Sequence, residues 1–281
     1  MRILIAGCGR LGSEAGVGLA RAGHQVYGLR RDPSQLPAAI APIRADLTDT
    51  QQALPIPDRL DAVIYALTPA QRTEAAYRSA YLEGLQRLLV TPALANPETH
   101  WLFVSSTAVY GDADGGEVDE HTVPAPGRFN GAVLAQAEQL LQRWRERSCL
   151  LRLGGIYGPG RQYLISQLRL GQLRVSRTQP RYTNRIHSTD AARLMGTLCT
   201  KRTTGVINGV DCCPATDAEV ADWLAARLGW PPAPEVGPDS EARDNKRIRS
   251  CRLSALPFYH RYPDYRSGYS AALRADQKDE K

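Results

Sequence analysis

The sequence contains no unbroken apolar run of about 20 residues, the length that an α-helix needs to cross a bilayer. It also enters a predicted strand at once, without the charged leader and cleavage site of a secreted protein. We therefore expect no membrane partner and a cytoplasmic location. Hydrophobic residues make up 43% of the 281 residues, which is sufficient for a substantial core.

Paired cysteine motifs are missing as well. The six cysteines show neither the C-x-x-C spacing of metal sites nor the pattern of a disulfide scaffold. We therefore expect reduced thiols, mostly in the core, and no metal site.

The basic residues form no large patch, although the net charge is +6. They are mostly arginines spread along the chain, and the one compact run, at 246–249, lies beside the acidic Asp239, Glu241 and Asp244. A nucleic-acid-binding surface would concentrate them on one element. The sequence therefore predicts no nucleic-acid partner and favours a solvated or anion-facing surface.

A glycine turn close to the start of the chain is the most informative feature. After an apolar strand pattern, Gly7, Gly9 and Gly12 follow in G-x-G-x-x-G spacing. The first permits a tight turn, the second lets the backbone approach a pyrophosphate, and the third lets the next helix pack closely on the strand. The helix N-terminus offers N–H groups and partial positive charge to the phosphates. This turn predicts a dinucleotide site that includes Arg10 and Leu11.

Apolar runs alternate with helical patterns through the first two thirds of the chain, which predicts an α/β fold with a Rossmann-type, doubly wound parallel sheet. Loops, glycine and arginine then predict a smaller C-terminal mixed α/β lobe. We place the dinucleotide-binding domain at 1–165 and the substrate-binding lobe at 166–281, with about 183–208 returning to the first domain. Strands are expected at 2–6, 25–29, 43–44, 62–67, 101–105 and 149–153, and helices at 11–22, 70–95 and 131–146.

Two arginines follow the second predicted strand. An enzyme that uses NAD needs a carboxylate at this position for the ribose hydroxyls, whereas an arginine accommodates a 2′-phosphate. Arg30 and Arg31 therefore favour NADP, with NAD as the alternative because exposed arginines end many strands.

Five longer segments resemble the motifs of one known family. They are RADLTD at 44–49, AVIYAL at 62–67, VSSTAVYG at 104–111, LRLGGIYGPGR at 151–161 and RIHSTD at 185–190. Together they resemble the extended short-chain dehydrogenase/reductases, also called the NAD-dependent epimerase/dehydratase family, over nearly the whole chain. The glycine turn is one residue shorter than the common form in that family, which indicates an atypical branch.

The resemblance implies cofactor contacts at the ends of three strands. Asp46 would contact the adenine amino group, and Leu47 would line the adenine pocket. Ala66 and Leu67 would lie behind the ribose and nicotinamide, and Ser105 would complete the cofactor site.

The resemblance also implies an active site for a small-molecule substrate, such as an anionic nucleotide sugar. The active-site hydroxyl is assigned to Ser106. His187 is a second catalytic candidate, with a loop hydrogen-bond anchor as the alternative. The residues assigned to substrate binding are Tyr110, Tyr157, Arg161 and Arg185.

The family's proton-transfer pair is missing. Its members use a tyrosine whose pKa is lowered by a lysine one helical turn later, but here the alignment places Asn130 and Leu134 at those positions, and the first lysine is Lys201. An amide does not carry protons near neutral pH. Tyr77, Tyr81, Tyr110 and Tyr157 remain as other hydroxyl candidates.

Two functions follow from this departure. The first is an NAD(P)(H)-binding epimerase/dehydratase-like protein with displaced or absent proton-transfer groups. The second is a non-catalytic NADP(H)-binding sensor. The helices near 70–95 and 131–146 correspond to the dimer interface of the family, so a homodimer is expected in either case.

Overall fold

A seven-stranded sheet forms the centre of the structure, a computed structural model that describes residues 1–49, 51–236 and 244–279. The strands of the described residues are β1 (Arg2–Ala6), β2 (Gln25–Arg30), β3 (Ala41–Arg44), β4 (Ala62–Tyr65), β5 (His100–Ser106), β6 (Glu117–Val118), β7 (Cys149–Leu153), β8 (Gly155–Tyr157), β9 (Tyr182–Thr183), β10 (Arg185–His187), β11 (Gly205–Gly209), β12 (Ala215–Thr216) and β13 (Arg247–Ile248). The central strands are all parallel, in the order β3-β2-β1-β4-β5-β7-β11. The predicted α/β class with a doubly wound parallel sheet is confirmed.

Helices cover both faces of this sheet. The helices of the described residues are α1 (Arg10–Arg21), α2 (Glu74–Arg78), α3 (Gly84–Leu89), α4 (Phe129–Trp144), α5 (Tyr163–Arg169), α6 (Ser188–Thr200), α7 (Asp217–Leu228) and α8 (Tyr265–Asp279). Those that pack on the sheet are α3 and α4 on one face and α1 and α6 on the other. Short 3₁₀ helices lie at Pro33–Gln35, Pro92–Leu94, Thr107–Val109 and Leu253–Ala255. None of the helices in the described part of the chain combines the length and apolar composition that a bilayer crossing requires.

Two apolar layers hold the helices on the sheet, because successive side chains of a strand point to opposite faces. On one face, Leu4 packs in a cluster with Leu85 of α3 and Leu134 of α4. On the other, Ile5 packs with Leu19 of α1 and with α6. A third cluster joins α5, α7 and α8 in the C-terminal part of the chain.

The sheet contains one strand that the sequence prediction lacks. β11 pairs in parallel with β7 at the edge of the sheet. Its sequence, GVING, carries few residues that favour strands, so the pattern does not indicate it. Asn208 of this strand is fully buried, and hydrogen bonds within the protein satisfy its side chain. It accepts a bond from the Tyr110 hydroxyl (2.9 Å) and donates one to the Arg249 carbonyl (2.9 Å).

The helix predicted over 70–95 is shorter and interrupted. It spans α2 and α3, and a π-helical turn at Ser79–Glu83 separates the two. The Tyr65 hydroxyl donates to the Ala80 carbonyl inside this turn. A Cβ at Gly84 would lie only 2.7 Å from the same hydroxyl, so glycine leaves room for the tyrosine. Insertion of a side chain into the helix ladder accounts for the irregular turn.

The six cysteines divide equally between the core and the surface, so the expectation that most are buried is wrong. The exposed ones lie in loops, where no periodic pattern indicates burial. The buried ones are Cys8, Cys149 and Cys199, and the exposed ones are Cys212, Cys213 and Cys251. The acidic residues Asp239 and Glu241 lie outside the described residues.

A buried ion pair joins α4 to the central sheet. Glu138 accepts hydrogen bonds from the Arg152 side chain at 3.0 Å (Nε) and 2.6 Å (Nη2), and from the Ser105 hydroxyl at 2.6 Å. Both charged side chains are almost fully buried. The Arg152 guanidinium lies 4.8 Å from the centre of the Tyr110 ring, which adds a cation–π contact.

We predict that Glu138→Ala lowers the free energy of unfolding by about 3 to 5 kcal/mol, because it leaves the Arg152 charge buried without a counter-ion. Chemical denaturation measures this loss. The double variant Glu138→Met with Arg152→Met removes both charges and is expected to recover most of it. A double variant as unstable as Glu138→Ala would show that packing, and not the unpaired charge, causes the loss.

We also predict a homodimer formed by α2, α3 and α4. Arg78 of α2 donates to Gln136 of α4 (3.3 Å), so these helices lie side by side, and Arg87 is turned inward onto the Asp46 carbonyl (2.6 Å). Light scattering is expected to give twice the chain mass at micromolar concentration. Gln136→Arg places a second cation beside Arg78 and is expected to shift the equilibrium towards monomer. A monomer mass throughout the concentration series would contradict the prediction.

Candidate functional site

The glycine turn lies where the strand order reverses, between β1 and its two neighbours. Gly7 has φ +80°, and a Cβ at this position would overlap the backbone of Leu67. The N–H groups of Gly7 and Cys8 both donate to the Leu29 carbonyl at 3.0 Å. The turn is therefore held between the ends of β2 and β4, at the crevice where ligands bind in sheets of this type.

The first turn of α1 leaves space and hydrogen-bond donors for an anion. A Cβ at Gly9 would meet nothing nearer than the Gly7 carbonyl at 3.9 Å, whereas a Cβ at Gly12 would come within 3.0 Å of the Ile5 side chain. Gly9 therefore keeps the approach open, and Gly12 permits close packing. No side chain caps this helix, so its first N–H groups remain for a ligand. These residues fit a dinucleotide pyrophosphate.

A cleft of about 300 Å³ extends from this turn across the carboxyl ends of β4, β5 and β7. It brings together many of the residues that the sequence assigns to a cofactor with residues of α2, α4 and the segment after β7. From the cofactor set it contains Gly7, Gly9, Arg10, Leu11, Gly12, Ala66, Leu67 and Ser105, and it adds Thr68, Tyr77, Tyr81, Val104, Ser106, Asn130, Leu134, Leu153, Gly154, Ile156 and Arg161.

The predicted adenine end lies beside the turn but outside this cleft. Arg30 is the last residue of β2 and follows Leu29, whose carbonyl holds the turn. Asp46 follows β3, and its Oδ1 accepts hydrogen bonds from the Thr48 N–H (2.9 Å) and hydroxyl (2.7 Å). Burial raises the pKa of Asp46, but the Thr48 bonds and the charges of Arg31 and Arg87 outweigh it, so the pKa is lowered overall.

Leu47 follows Asp46 in the chain, but its side chain is turned into the core. It is almost fully buried in the apolar layer beneath the sheet. Its predicted place in the adenine pocket is therefore not supported by its position.

The two serines at the end of β5 have different partners. Ser105 is buried, and its hydroxyl donates to Glu138. Ser106 lies on the cleft, where its Oγ accepts the Ala108 N–H (3.2 Å) and caps a 3₁₀ helix. Because that bond uses an acceptor site, the Ser106 proton is still available to a ligand.

The residues aligned with the family's proton-transfer pair also line the cleft. Asn130 and Leu134 lie in the first turns of α4 and border the same space as Ser106. Tyr77 and Tyr81 enter it from the other side, with their rings 5.6 Å apart. Burial raises the pKa of Tyr81, and the neighbouring Tyr77 raises it further, so Tyr81 is a poor base at neutral pH.

His187 is not among the residues that line the cleft. It is almost fully buried, its Nδ1 accepts the Thr189 N–H (3.2 Å), and its ring packs against Tyr157 and Tyr262 at centroid distances of 5.4 and 4.0 Å. Burial lowers its pKa. This geometry fits the alternative of a loop anchor that caps α6, and it does not support catalysis.

Three of the four predicted substrate contacts also lie outside the cleft. Tyr110 is fully buried, with its hydroxyl on Asn208. Tyr157 is buried against Tyr269, and its hydroxyl donates to the Asp264 carbonyl (3.1 Å). Both rings are buried by packing between elements that are distant in the chain. A local motif does not indicate such packing.

Arg185 is the third of these, and it donates to the Thr183 carbonyl at 3.2 Å. The nearby Lys246 is buried and donates to the carbonyls of Tyr110 (2.9 Å) and Gly111 (3.1 Å). Only Arg161 of the predicted substrate set lines the cleft.

A larger cavity of about 810 Å³ lies farther along the sheet edge and shares no lining residue with the cleft. Asp211 forms part of its wall, and burial raises the pKa of this carboxyl to about 7. The side chain of His260 links the Cys212 thiol (3.4 Å) to the Val210 carbonyl (2.8 Å). None of these groups adjoins the glycine turn, so we place the candidate site in the smaller cleft.

Known proteins resemble this chain along its whole length. Protein YeeZ of Escherichia coli K12 is 30% identical over 276 residues, which cover 94% of this chain and 97% of YeeZ. A solved structure from Methylobacillus flagellatus, described as a candidate NAD-dependent epimerase/dehydratase, is 34% identical, with a TM-score of 0.79 over 98% of each chain. The human epimerase family protein SDR39U1, solved with NADPH, has the same fold at 20% identity, with a TM-score of 0.76 over 98% of this chain and 99% of its own.

The family profile described as the NAD dependent epimerase/dehydratase family matches residues 3–208. This span contains the glycine turn and every residue that lines the cleft. Because the match covers well over half of the sequence, the chain belongs to the NAD-dependent epimerase/dehydratase family.

Proposed function

We propose that this protein binds NADP(H) in the cleft as an epimerase/dehydratase-like protein that accepts a small molecule there, such as a nucleotide sugar, and turns it over slowly at most because it lacks the tyrosine–lysine pair of its family. The observation that carries the cofactor proposal is the position of Arg30. It follows directly after Leu29, whose carbonyl holds the glycine turn. A dinucleotide on that turn would place its adenosine ribose near the end of β2. The presence of NADPH in the related human fold is consistent with this.

Different residues of the chain would bind different parts of the cofactor. The turn at Gly7–Gly12 would bind the pyrophosphate, Arg30 and Arg31 the 2′-phosphate, and Asp46 the adenine amino group. When bound, the nicotinamide supplies hydride transfer. Ser106 would donate a hydrogen bond to a substrate oxygen at the floor of the cleft.

A non-catalytic NADP(H) sensor is the second candidate. Asn130 and Leu134 favour it, because both border the cleft where an enzyme of the family needs a titratable pair. In the described part of the cleft, the remaining hydroxyls belong to Thr68, Ser105, Ser106, Tyr77 and Tyr81, and that of Ser105 is already bonded to Glu138. A measurement of substrate turnover distinguishes the enzyme from the sensor, because only the enzyme converts a substrate.

We predict that the wild-type protein binds NADPH roughly tenfold to a hundredfold more tightly than NADH, because charge-assisted hydrogen bonds to a phosphate contribute about 1.5 to 3 kcal/mol. Arg30→Asp is expected to remove most of that preference. Fluorescence titration of both cofactors measures it. Equal affinities in the wild-type protein would contradict NADP as the preferred cofactor.

Asp46→Ala provides the matched control. Because the adenine is common to both cofactors, this variant is expected to weaken NADPH and NADH alike, by about 1 to 3 kcal/mol, and to leave the preference unchanged. A selective loss of NADPH binding in this variant would place Asp46 at the 2′-phosphate instead.

We predict little or no turnover of nucleotide sugars by the wild-type protein, since the loss of general acid–base catalysis costs roughly 10²- to 10⁴-fold in rate. The double variant Asn130→Tyr with Leu134→Lys restores the family's pair and is expected to raise turnover. Product formation from UDP-glucose, followed by chromatography, is the measurement.

Ser106→Ala in the restored variant is expected to remove the gain, because the serine would hold the substrate oxygen. Robust wild-type turnover with a bell-shaped pH profile that survives Ser106→Ala would show that other residues transfer the proton. That result would overturn the assignment of the site.

A further inference from the structure

Two arginines from distant parts of the chain meet at the mouth of the cleft. Arg10 is the first residue of α1, and its Nη1 donates to the Gly160 carbonyl at 2.6 Å. Gly160 has φ +64°, and a Cβ at this position would overlap the Arg10 guanidinium. The loop before Arg161 thus packs against the Arg10 side chain. Both arginines line the cleft together with Gly9.

The charges of this pair are not balanced by an ion pair in the described part of the chain. Arg161 is half-buried, and its Nε has no hydrogen-bond partner. Burial lowers the pKa of Arg161, and the neighbouring charge of Arg10 lowers it further. Arg161 is therefore held in a position that disfavours its own charge.

Glu14 is the nearby acid, and its charge acts on Arg161 in the opposite direction. Its Oε1 accepts the Thr189 hydroxyl at 2.8 Å, which ties this carboxylate to α6. The net effect on the pKa of Arg161 is still downward, so Glu14 only partly offsets the repulsion.

We propose that Arg10 and Arg161 form a clamp for a diphosphate group. The planar guanidinium fork matches phosphate oxygens, and two forks side by side match two linked phosphates. A bound dianion would supply the counter-charge that the pair lacks. The clamp also joins the glycine turn to the loop after β8, so an occupied site would hold these two segments together.

This inference rests on the proposed function for its cleft but assigns a role that the glycine turn does not require. Two ligands contain the diphosphate group that this clamp would bind. One is the pyrophosphate of the dinucleotide, and the other is the diphosphate of a nucleotide-sugar substrate. Titrations with different ligands distinguish these sources.

The experiment compares Arg161→Met and Arg10→Met with Arg21→Met, which removes the same charge from the exposed far end of α1. Isothermal titration would use NADPH, inorganic pyrophosphate, 2′,5′-ADP, and UDP-glucose added to the NADPH-saturated protein. The compound 2′,5′-ADP carries two separate phosphates and no diphosphate. Melting temperatures without ligand are recorded for each variant.

We expect Arg161→Met to weaken at least one diphosphate ligand by about tenfold or more relative to Arg21→Met, and to weaken 2′,5′-ADP by less, because that compound offers the pair a single phosphate at its 5′ position. A loss for NADPH assigns the clamp to the dinucleotide, and a loss for UDP-glucose alone assigns it to the substrate. Arg161→Lys keeps the charge without the fork and is expected to recover only part of the affinity.

The unliganded melting temperature of Arg161→Met is expected to stay level or rise, because the substitution relieves repulsion with Arg10. A fall in melting temperature with unchanged affinity for every diphosphate would indicate a purely structural arginine and would overturn the proposal. Failure of the wild-type protein to bind NADPH would refute the proposed function. The pyrophosphate titration would then still decide whether the clamp exists.

Discussion

The backbone contacts of Gly7 are the constraint on which the site depends. Its N–H and that of Cys8 donate to the Leu29 carbonyl of β2, and its α-carbon faces the backbone of Leu67 after β4 without space for a side chain. These contacts fix the start of α1 relative to both neighbouring strands. The open surface at Gly9 and the position of Arg30, the residue after Leu29 at the end of β2, both follow from that arrangement.

The charged side chains beneath the cleft are paired, whereas those at its mouth are not paired within the described residues. Beneath it, Glu138 and Arg152 neutralise each other and hold α4 against β7, with Ser105 as a third partner. At its mouth, Arg10 and Arg161 both line the cleft, and neither belongs to an ion pair in the described part of the chain. The first arrangement stabilises the fold, since buried charges are tolerated when paired, and the second leaves the charge for an anion.

The sequence predicted the fold correctly, and most of the residues it assigns to the cofactor lie together in the cleft, whereas several side chains that it assigns to the substrate lie outside it. Gly7, Gly9 and Gly12 could be recognised because a short local pattern fixes a turn and its helix. Tyr110 and Tyr157 stand in motifs that border the cleft, yet their rings point into the core. The direction of a side chain depends on what packs against it, and here those partners lie about a hundred residues away.

The sequence alone determined the strand–turn–helix unit, the parallel sheet and the missing lysine, because each follows from local spacing or from residue identity. Only the tertiary structure decided that Arg161, and not Arg185, reaches the cleft. Arg161 lies about 150 residues from Arg10 in the chain, as the bond between Arg10 and Gly160 shows. No local pattern indicates that contact, because it arises from the packing of the loop after β8 against the start of α1.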